Sequence, residues 1–170
     1  GNPIEHSLSP KIHNYWFKKN NIDAVYEKIV PELNEIESAI NEVKLGKLYG
    51  MNITVPFKQH IIPFLEDMSL TAKKTNSVNT VFNKNGKVYG DNTDVTGFTL
   101  TLKESGYSFK NKRALILGAG GVVPSLIVSL YDLEINEIYV SNRTESKLEN
   151  LVENFPNIKK IKWGELQEFD

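Results

Sequence analysis

The stretch RALILGAGGVV, residues 113–123, decides the fold. Its first five residues have the composition of a buried strand, and an apolar helix is predicted from Val122 to Leu133. Glycines between a strand and a helix let the backbone approach a pyrophosphate, whose charge the helix amides and dipole stabilise. Val123 stands where a third motif glycine would be, and Pro124 removes one donor. The motif by itself therefore also fits a turn that binds nothing.

The segments after this turn repeat the same alternation. Strand Glu137–Ser141, helix Glu145–Phe155 and a last strand near Lys159–Trp163 follow it. Together with the first strand and helix they form βαβαβ, one mononucleotide-binding half of a doubly wound parallel sheet. The sequence therefore predicts part of a Rossmann-like α/β domain here.

The residues that follow the second strand indicate the cofactor. At this place an NAD site carries an acidic residue for the ribose 2′-hydroxyl, whereas this chain has Asn142 and Arg143. A guanidinium pairs bidentately with phosphate. Thr144 can cap the next helix, and Lys147 puts a cation in its first turn, which favours a nearby anion. We predict NADP(H) rather than NAD(H), with a surface Arg and Lys of no function as the alternative.

The first part of the chain is predicted to be an α/β domain of its own. A connecting helix that ends near Gly106 follows it, and we place the boundary near residues 95–105. This gives a substrate-binding and catalytic domain at 1–96 and a partial NADP-binding domain at 97–170. The predicted elements of the first part are helix Ser9–Lys19 capped by Ser9, strand Ala24–Val30, helix Pro31–Leu45, strand Leu48–Val55, a helix from about Gln59, and a hairpin of Val78–Phe82 and Lys87–Tyr89 around Asn85-Gly86.

Polar groups gather at the ends of these elements, in the stretches 7–10, 52–58, 77–80 and 90–94. Each stretch alone fits a helix cap, a turn or the solvated face of a strand. Together they supply hydroxyls, amides, one ammonium and one carboxylate, which suit a small ligand with many hydroxyls. Oxidation of an alcohol also needs a group that takes its proton. Lys58, with Asp94 to hold it, is the predicted pair.

These stretches closely resemble the shikimate dehydrogenase family, in the same order and over essentially the whole chain. The matching motifs are GNPI with HSLSP, NITVPFK, Asn79-Thr80, GDNTD, GAGG, and NRT with Lys147. The resemblance implies NADP(H)-dependent interconversion of shikimate and 3-dehydroshikimate, in chorismate and aromatic amino-acid biosynthesis. It also implies shikimate as the small-molecule partner.

The resemblance implies a role for each matching residue. Lys58 would be the acid/base and Asp94 its partner. Ser7 and Ser9 would bind the carboxylate of shikimate, and Asn52, Thr54 and Asn79 its hydroxyls. The residues implied to bind the cofactor are Gly118, Ala119, Gly120, Gly121 and Val122 at the pyrophosphate, and Asn142, Arg143, Thr144 and Lys147 at the 2′-phosphate. Val95, Val122, Val123 and Pro124 depart from the family's usual residues.

The length also departs from the family, whose sequences run well beyond residue 170. We expect a chain truncated at its C-terminus and slightly at its N-terminus, without the nicotinamide side of the cofactor site and weakly active or inactive by itself. Two alternatives remain open. One is a quinate/shikimate dehydrogenase, which would favour NAD and an acidic residue near the ribose. The other is a nucleotide- and shikimate-binding module without catalysis.

Composition excludes several other classes. The 170 residues carry 20 Lys and Arg against 21 Asp and Glu, so no basic field favours nucleic acid or a membrane surface. The chain has no cysteine, which excludes disulfides and thiolate metal sites. We expect a cytoplasmic protein without a metal, as a monomer or homodimer.

Overall fold

The computed structural model describes residues 1–165, in which two sheets each have their own hydrophobic cluster. Among the described residues, no helix is both long enough and apolar enough to cross a membrane. The helices are α1 Ser9–Lys19, α2 Ile36–Lys44, α3 Leu70–Thr75, α4 Asp94–Glu104, α5 Val123–Asp132 and α6 Glu145–Asn154. The strands are β1 Gly50–Asn52, β2 Asp67–Met68, β3 Thr80–Lys84, β4 Lys87–Asp91, β5 Arg113–Leu117, β6 Glu137–Ser141 and β7 Lys159–Ile161.

The first sheet is mixed and has the strand order β1-β3-β4-β2. Its centre is the predicted hairpin, in which Asn85 and Gly86 have φ angles of 54° and 82°. Both residues tolerate a positive φ, which the two-residue turn requires. β1 pairs antiparallel with β3, and β2 pairs parallel with β4. α2 packs against this sheet through buried Ile36, Ile40 and Val43.

The second sheet is parallel and has the order β5-β6-β7. β5 and β6 have the bounds that the sequence predicts, because each is an apolar run closed by a polar or glycine turn. Helices α5 and α6 bury Ile127 and Leu148 against Ile138 and Val140 of β6. The prediction of an α/β fold ending in a partial Rossmann-like unit is confirmed.

The predicted strand at Ala24–Val30 is wrong, because these residues form no ladder with another strand. Other groups contact the segment instead. Asn14 of α1 bonds both the N–H and the carbonyl of Tyr26, at 2.8 and 2.9 Å, and Lys28 Nζ donates to the carbonyl of Glu5 at 2.6 Å. A β-prone composition is not enough for a strand without a backbone neighbour.

The predictions around NITVPFK also need correction. β1 ends at Asn52, three residues before the predicted end, and the next amide, of Ile53, donates to the carbonyl of Asn79 at 2.7 Å. No α-helix starts at Gln59. Turns and a 3₁₀ segment, Ile62–Phe64, follow instead, because Pro63 has no N–H to continue a helix.

Three helix predictions need smaller corrections. The helix predicted from Pro31 has a 3₁₀ first turn, and α2 itself begins at Ile36. Ser9 does not cap α1: Leu8 holds the cap position, and the amide of Ser9 donates to Ser7 Oγ at 3.2 Å. The short elements β2 and α3 were not predicted, because six residues or fewer carry little periodicity.

The buried side chain of Asn92 links the two sheet-bearing parts of the chain. Its Nδ2 lies 3.0 Å from Thr75 Oγ1, from the carbonyl of Ser77 and from Ser125 Oγ of α5. Its Oδ1 accepts from the amide of Asp94, at the start of α4. A buried amide with all its groups paired holds its neighbours in one arrangement. The division at 96/97 stays a proposal.

We predict that Asn92→Ala lowers the free energy of unfolding by about 2–3 kcal/mol, because it removes several buried hydrogen bonds at once. Urea denaturation followed by circular dichroism measures the change. The matched control is Asn136→Ala, at an exposed position before β6, which should change the free energy by less than about 0.5 kcal/mol. Equal effects of the two substitutions would contradict the role given to Asn92.

Candidate active site

An ion pair between Lys58 and Asp94 lies where the two parts of the chain meet. Lys58 Nζ is 2.6 Å from Asp94 Oδ2, and the two side chains are 14% and 29% exposed. Lys58 lies within the turns after β1, whereas Asp94 is the first residue of α4. The fold thus brings together the two residues predicted to form the catalytic pair, which are 36 positions apart in sequence. An ammonium that is largely shielded from water and held by one carboxylate oxygen can exchange a proton with a bound hydroxyl.

Hydrogen bonds run from Asp94 through four further side chains. Asn79 Nδ2 donates to Asp94 Oδ1 at 2.8 Å, and Thr80 Oγ1 donates to Asn79 Oδ1 at 2.9 Å. Asn52 Nδ2 donates to Thr80 Oγ1 at 3.3 Å, and the hydroxyl of Tyr26 donates to Asn52 Oδ1 at 3.0 Å. We call these residues, with Lys58, the Asp94 network. Every donor in it points toward Asp94, so each bond polarises the next.

A cleft of about 580 Å³ lies beside this network. Ser7, Ser9, Asn52 and Thr54, all predicted to bind substrate, line it together with Tyr26. We call it the serine cleft. Asn79 is buried behind it, where its amide also bonds the hydroxyl and the N–H of Thr93. Four of the predicted substrate residues therefore line the serine cleft. Asn79 does not line it and is bonded within the Asp94 network instead.

Sequence reasoning missed Tyr26, and it gave no individual role to Thr80 and Thr93, although both lie in the polar stretches 77–80 and 90–94. A tyrosine in a β-prone stretch is an ordinary structural residue, so no local pattern marks it. Tyr26 is half-buried, and its ring stacks on His13 at a centroid distance of 4.3 Å and an interplanar angle of 8°. Burial raises the pKa of the Tyr26 phenol above its ordinary value of 10.0, against the lowering effect of a hydrogen bond with the Ser9 side chain. The phenol therefore stays protonated at neutral pH and can donate.

A second cleft, of about 420 Å³, separates Lys58 from the glycine turn. Ala119, Gly120, Gly121 and Lys147 line it from the second part of the chain. We call it the glycine cleft. Gly118 has φ of +118°, which a side chain rarely adopts, and a Cβ built on Gly120 or Gly121 would meet no atom within 4 Å. These two glycines leave open space in front of the turn, where a phosphate could approach the backbone.

The backbone N–H groups that could bind a phosphate at this turn belong to the loop before α5 rather than to α5 itself. The amides of Val123 and Ser125 donate to the carbonyls of Gly120 and Val122, and Pro124 has none. In the part of the chain that the structure describes, the amides of residues 119–122 have no protein acceptor. Four free N–H groups in front of a helix start fit a pyrophosphate.

The residues predicted at the 2′-phosphate lie between β6 and the first turn of α6. Arg143, Thr144 and Lys147 are exposed, and neither cation forms an ion pair with a described residue. Asn142 donates to the carbonyl of Thr144 at 2.9 Å, which shapes the turn. Thr144 holds the cap position of α6, but its side chain makes no capping bond. Glu145, the first residue of α6, pairs with Lys160. Two cations without an ion-pair partner among the described residues, with no acidic residue at positions 142–144, fit a phosphate rather than a ribose hydroxyl.

Within residues 1–165, no group of three or more His, Asp or Glu side chains could hold a metal ion.

The chain is similar to known proteins along nearly its whole length. Residues 1–81 match the shikimate dehydrogenase substrate binding domain, and residues 100–170 match the shikimate / quinate 5-dehydrogenase family. A shikimate dehydrogenase (NADP(+)) of Pelagibacter ubique is 54% identical over all 170 residues, which span 64% of that relative's length.

Solved structures give the same result. A shikimate dehydrogenase from Aquifex aeolicus superposes with a TM-score of 0.86 at 38% identity, over 94% of this chain and 59% of that one. A shikimate 5-dehydrogenase from Thermus thermophilus, solved in complex with NADP(H) and shikimate, has a TM-score of 0.82 at 31% identity, over 95% of this chain and 60% of that one. Matches in both parts of the chain, at this level of identity, show that it belongs to the shikimate dehydrogenase family.

Proposed function

We propose that this chain belongs to an NADP-dependent shikimate dehydrogenase. This enzyme interconverts shikimate and 3-dehydroshikimate in aromatic amino-acid biosynthesis. The observation that carries the proposal is the Lys58–Asp94 pair, held at 2.6 Å. Lys58 lines the glycine cleft, and the hydrogen bonds of the Asp94 network lead from Asp94 to Asn52 on the wall of the serine cleft. An acid/base pair that connects a polar cleft with a phosphate-binding turn suits the oxidation of a hydroxyl by a nucleotide cofactor.

The chain's own residues would bind, orient and deprotonate the substrate. Ser7 and Ser9 would hold the carboxylate, while Asn52 and Thr54 would bind hydroxyls in the serine cleft. As a neutral amine, Lys58 would take the proton of the 3-hydroxyl in the oxidative direction, and as the resulting ammonium it would return that proton in the reductive one. Asp94 would hold the Lys58 ammonium in place, with Asn79 fixing the other carboxylate oxygen. Bound NADP⁺ would supply the hydride acceptor for the carbon that carries the 3-hydroxyl.

The cofactor would lie along the glycine cleft. The free amides of residues 119–122 would bind the pyrophosphate, and Arg143 and Lys147, with Asn142 and Thr144, would bind the 2′-phosphate. Relatives solved with shikimate and NADP(H) support both ligands as small-molecule partners. A cytoplasmic location and a monomeric or homodimeric state remain predictions.

A quinate/shikimate dehydrogenase is the second candidate, because the family that matches residues 100–170 includes quinate in its description. Arg143, unpaired among the described residues, favours NADP over NAD. Steady-state rates of the protein translated from the native reading frame, with each cofactor on shikimate and on quinate, distinguish the two. Binding of both ligands by the 170-residue chain without turnover would instead support the binding module.

We predict that Lys58→Ala lowers the turnover of the native protein with shikimate by about 100-fold or more, the scale of a positioned acid/base. Steady-state measurement of NADPH formation gives the result. Lys74→Ala, at an exposed position on α3, is the matched control and should leave turnover unchanged. Near-normal turnover of the Lys58 variant would rule out its role as the acid/base.

We also predict that Arg143→Ala weakens binding of adenosine 2′,5′-bisphosphate to the 170-residue chain by about 10-fold or more, because a charged bidentate contact is lost. Calorimetric titration measures the affinity. Adenosine 5′-monophosphate is the matched ligand, and its affinity should not change, because it lacks the 2′-phosphate. An equal loss for both ligands would contradict recognition of the 2′-phosphate by Arg143.

A further inference from the structure

We propose that Tyr26 is a positioning residue that fixes the side-chain amide of Asn52 for substrate binding. This inference rests on the proposed function. The Tyr26 hydroxyl donates to Asn52 Oδ1 at 3.0 Å. Tyr26, Ser9 and Asn52 all line the serine cleft, so the contact lies at the wall of the proposed substrate site.

The hydrogen-bonding groups of the Asn52 side chain show what its contact with Tyr26 achieves. An asparagine amide has one carbonyl acceptor and two N–H donors. Its oxygen accepts from Tyr26, and one N–H donates to Thr80 Oγ1 at 3.3 Å. Asn52 itself is exposed at the wall of the serine cleft, so its second N–H is left for a ligand. Asn52 therefore donates to a substrate hydroxyl oxygen.

Removing the Tyr26 hydroxyl would remove the reason for Asn52 to present an N–H, and not its oxygen, to the ligand. The amide could then turn by half a rotation and present its oxygen to the ligand, which exchanges a donor for an acceptor at the same place. Thr80 donates its one proton to Asn79 Oδ1, which also accepts from the amide of Thr93. Thr80 could therefore donate to a turned Asn52 without leaving Asn79 Oδ1 unpaired, so it does not by itself fix the orientation of Asn52. Of the described residues, Tyr26 alone donates to Asn52 Oδ1.

The surroundings of Tyr26 make it a rigid support. Its ring stacks on His13 of α1, and Asn14 of the same helix bonds its backbone N–H and carbonyl at 2.8 and 2.9 Å. A phenylalanine would keep both the stack and the backbone bonds. Tyr26→Phe therefore removes the hydroxyl contact while the fold of the segment is retained.

The test is the affinity of the 170-residue chain for shikimate, measured by calorimetry. Tyr26→Phe should weaken binding by about 3- to 10-fold, the effect of one hydrogen bond. In the native protein the KM for shikimate should rise by a similar factor while kcat stays within about twofold, because the Lys58–Asp94 contact is untouched. A melting curve by circular dichroism checks that the variant is folded.

A double-mutant cycle separates positioning from a general structural effect. If Tyr26 acts through Asn52, Tyr26→Phe should have almost no further effect in an Asn52→Ala background. Tyr107→Phe is the matched control, since that exposed ring packs on Phe109 away from the serine cleft. Unchanged affinity of Tyr26→Phe, or a full additional loss in the Asn52→Ala background, would overturn the proposal. If the unsubstituted chain binds no shikimate, the proposed function itself fails.

Discussion

The ion pair between Lys58 and Asp94 is the contact on which the proposed chemistry depends. The two residues are 36 positions apart in sequence, so their 2.6 Å contact exists only when the first sheet and α4 are folded together. Asn79 fixes the second oxygen of Asp94, and Asn92 fixes the start of α4 by accepting from the amide of Asp94. The Lys58–Asp94 pair is therefore held by buried amides on both sides. Such support keeps a catalytic pair in one geometry.

Much of the fold follows from local sequence signals. The bounds of β5 and β6 are correct, because an apolar run that ends at a glycine or polar turn has few alternatives. The hairpin at Asn85-Gly86 is correct because its turn requires positive φ angles. The strand at Ala24–Val30 is wrong, because pairing depends on a distant neighbour that composition does not reveal. The helix from Gln59 is wrong because Pro63 interrupts it after one turn.

The candidate site could be predicted only in part, for a similar reason. Lys58, Asp94 and the glycine turn stand out because a cation, a carboxylate and a glycine cluster at element ends are unusual. Tyr26 does not stand out, and Thr80 does so only as a member of a motif, since the roles of both lie in contacts between residues far apart in the chain. The direction of the Asp94 network, with every donor pointing to one carboxylate, is a property of the folded molecule alone.

The central claim is that the serine cleft and the Asp94 network bind shikimate. The most direct measurement is a titration of the ¹⁵N-labelled chain with shikimate, followed through the side-chain amide signals of Asn52 and Asn79. Saturable shifts of both signals, with Asn92 and Asn136 unaffected, are the predicted result. The absence of saturable shifts at Asn52 and Asn79, or shifts confined to the glycine turn, would contradict the claim.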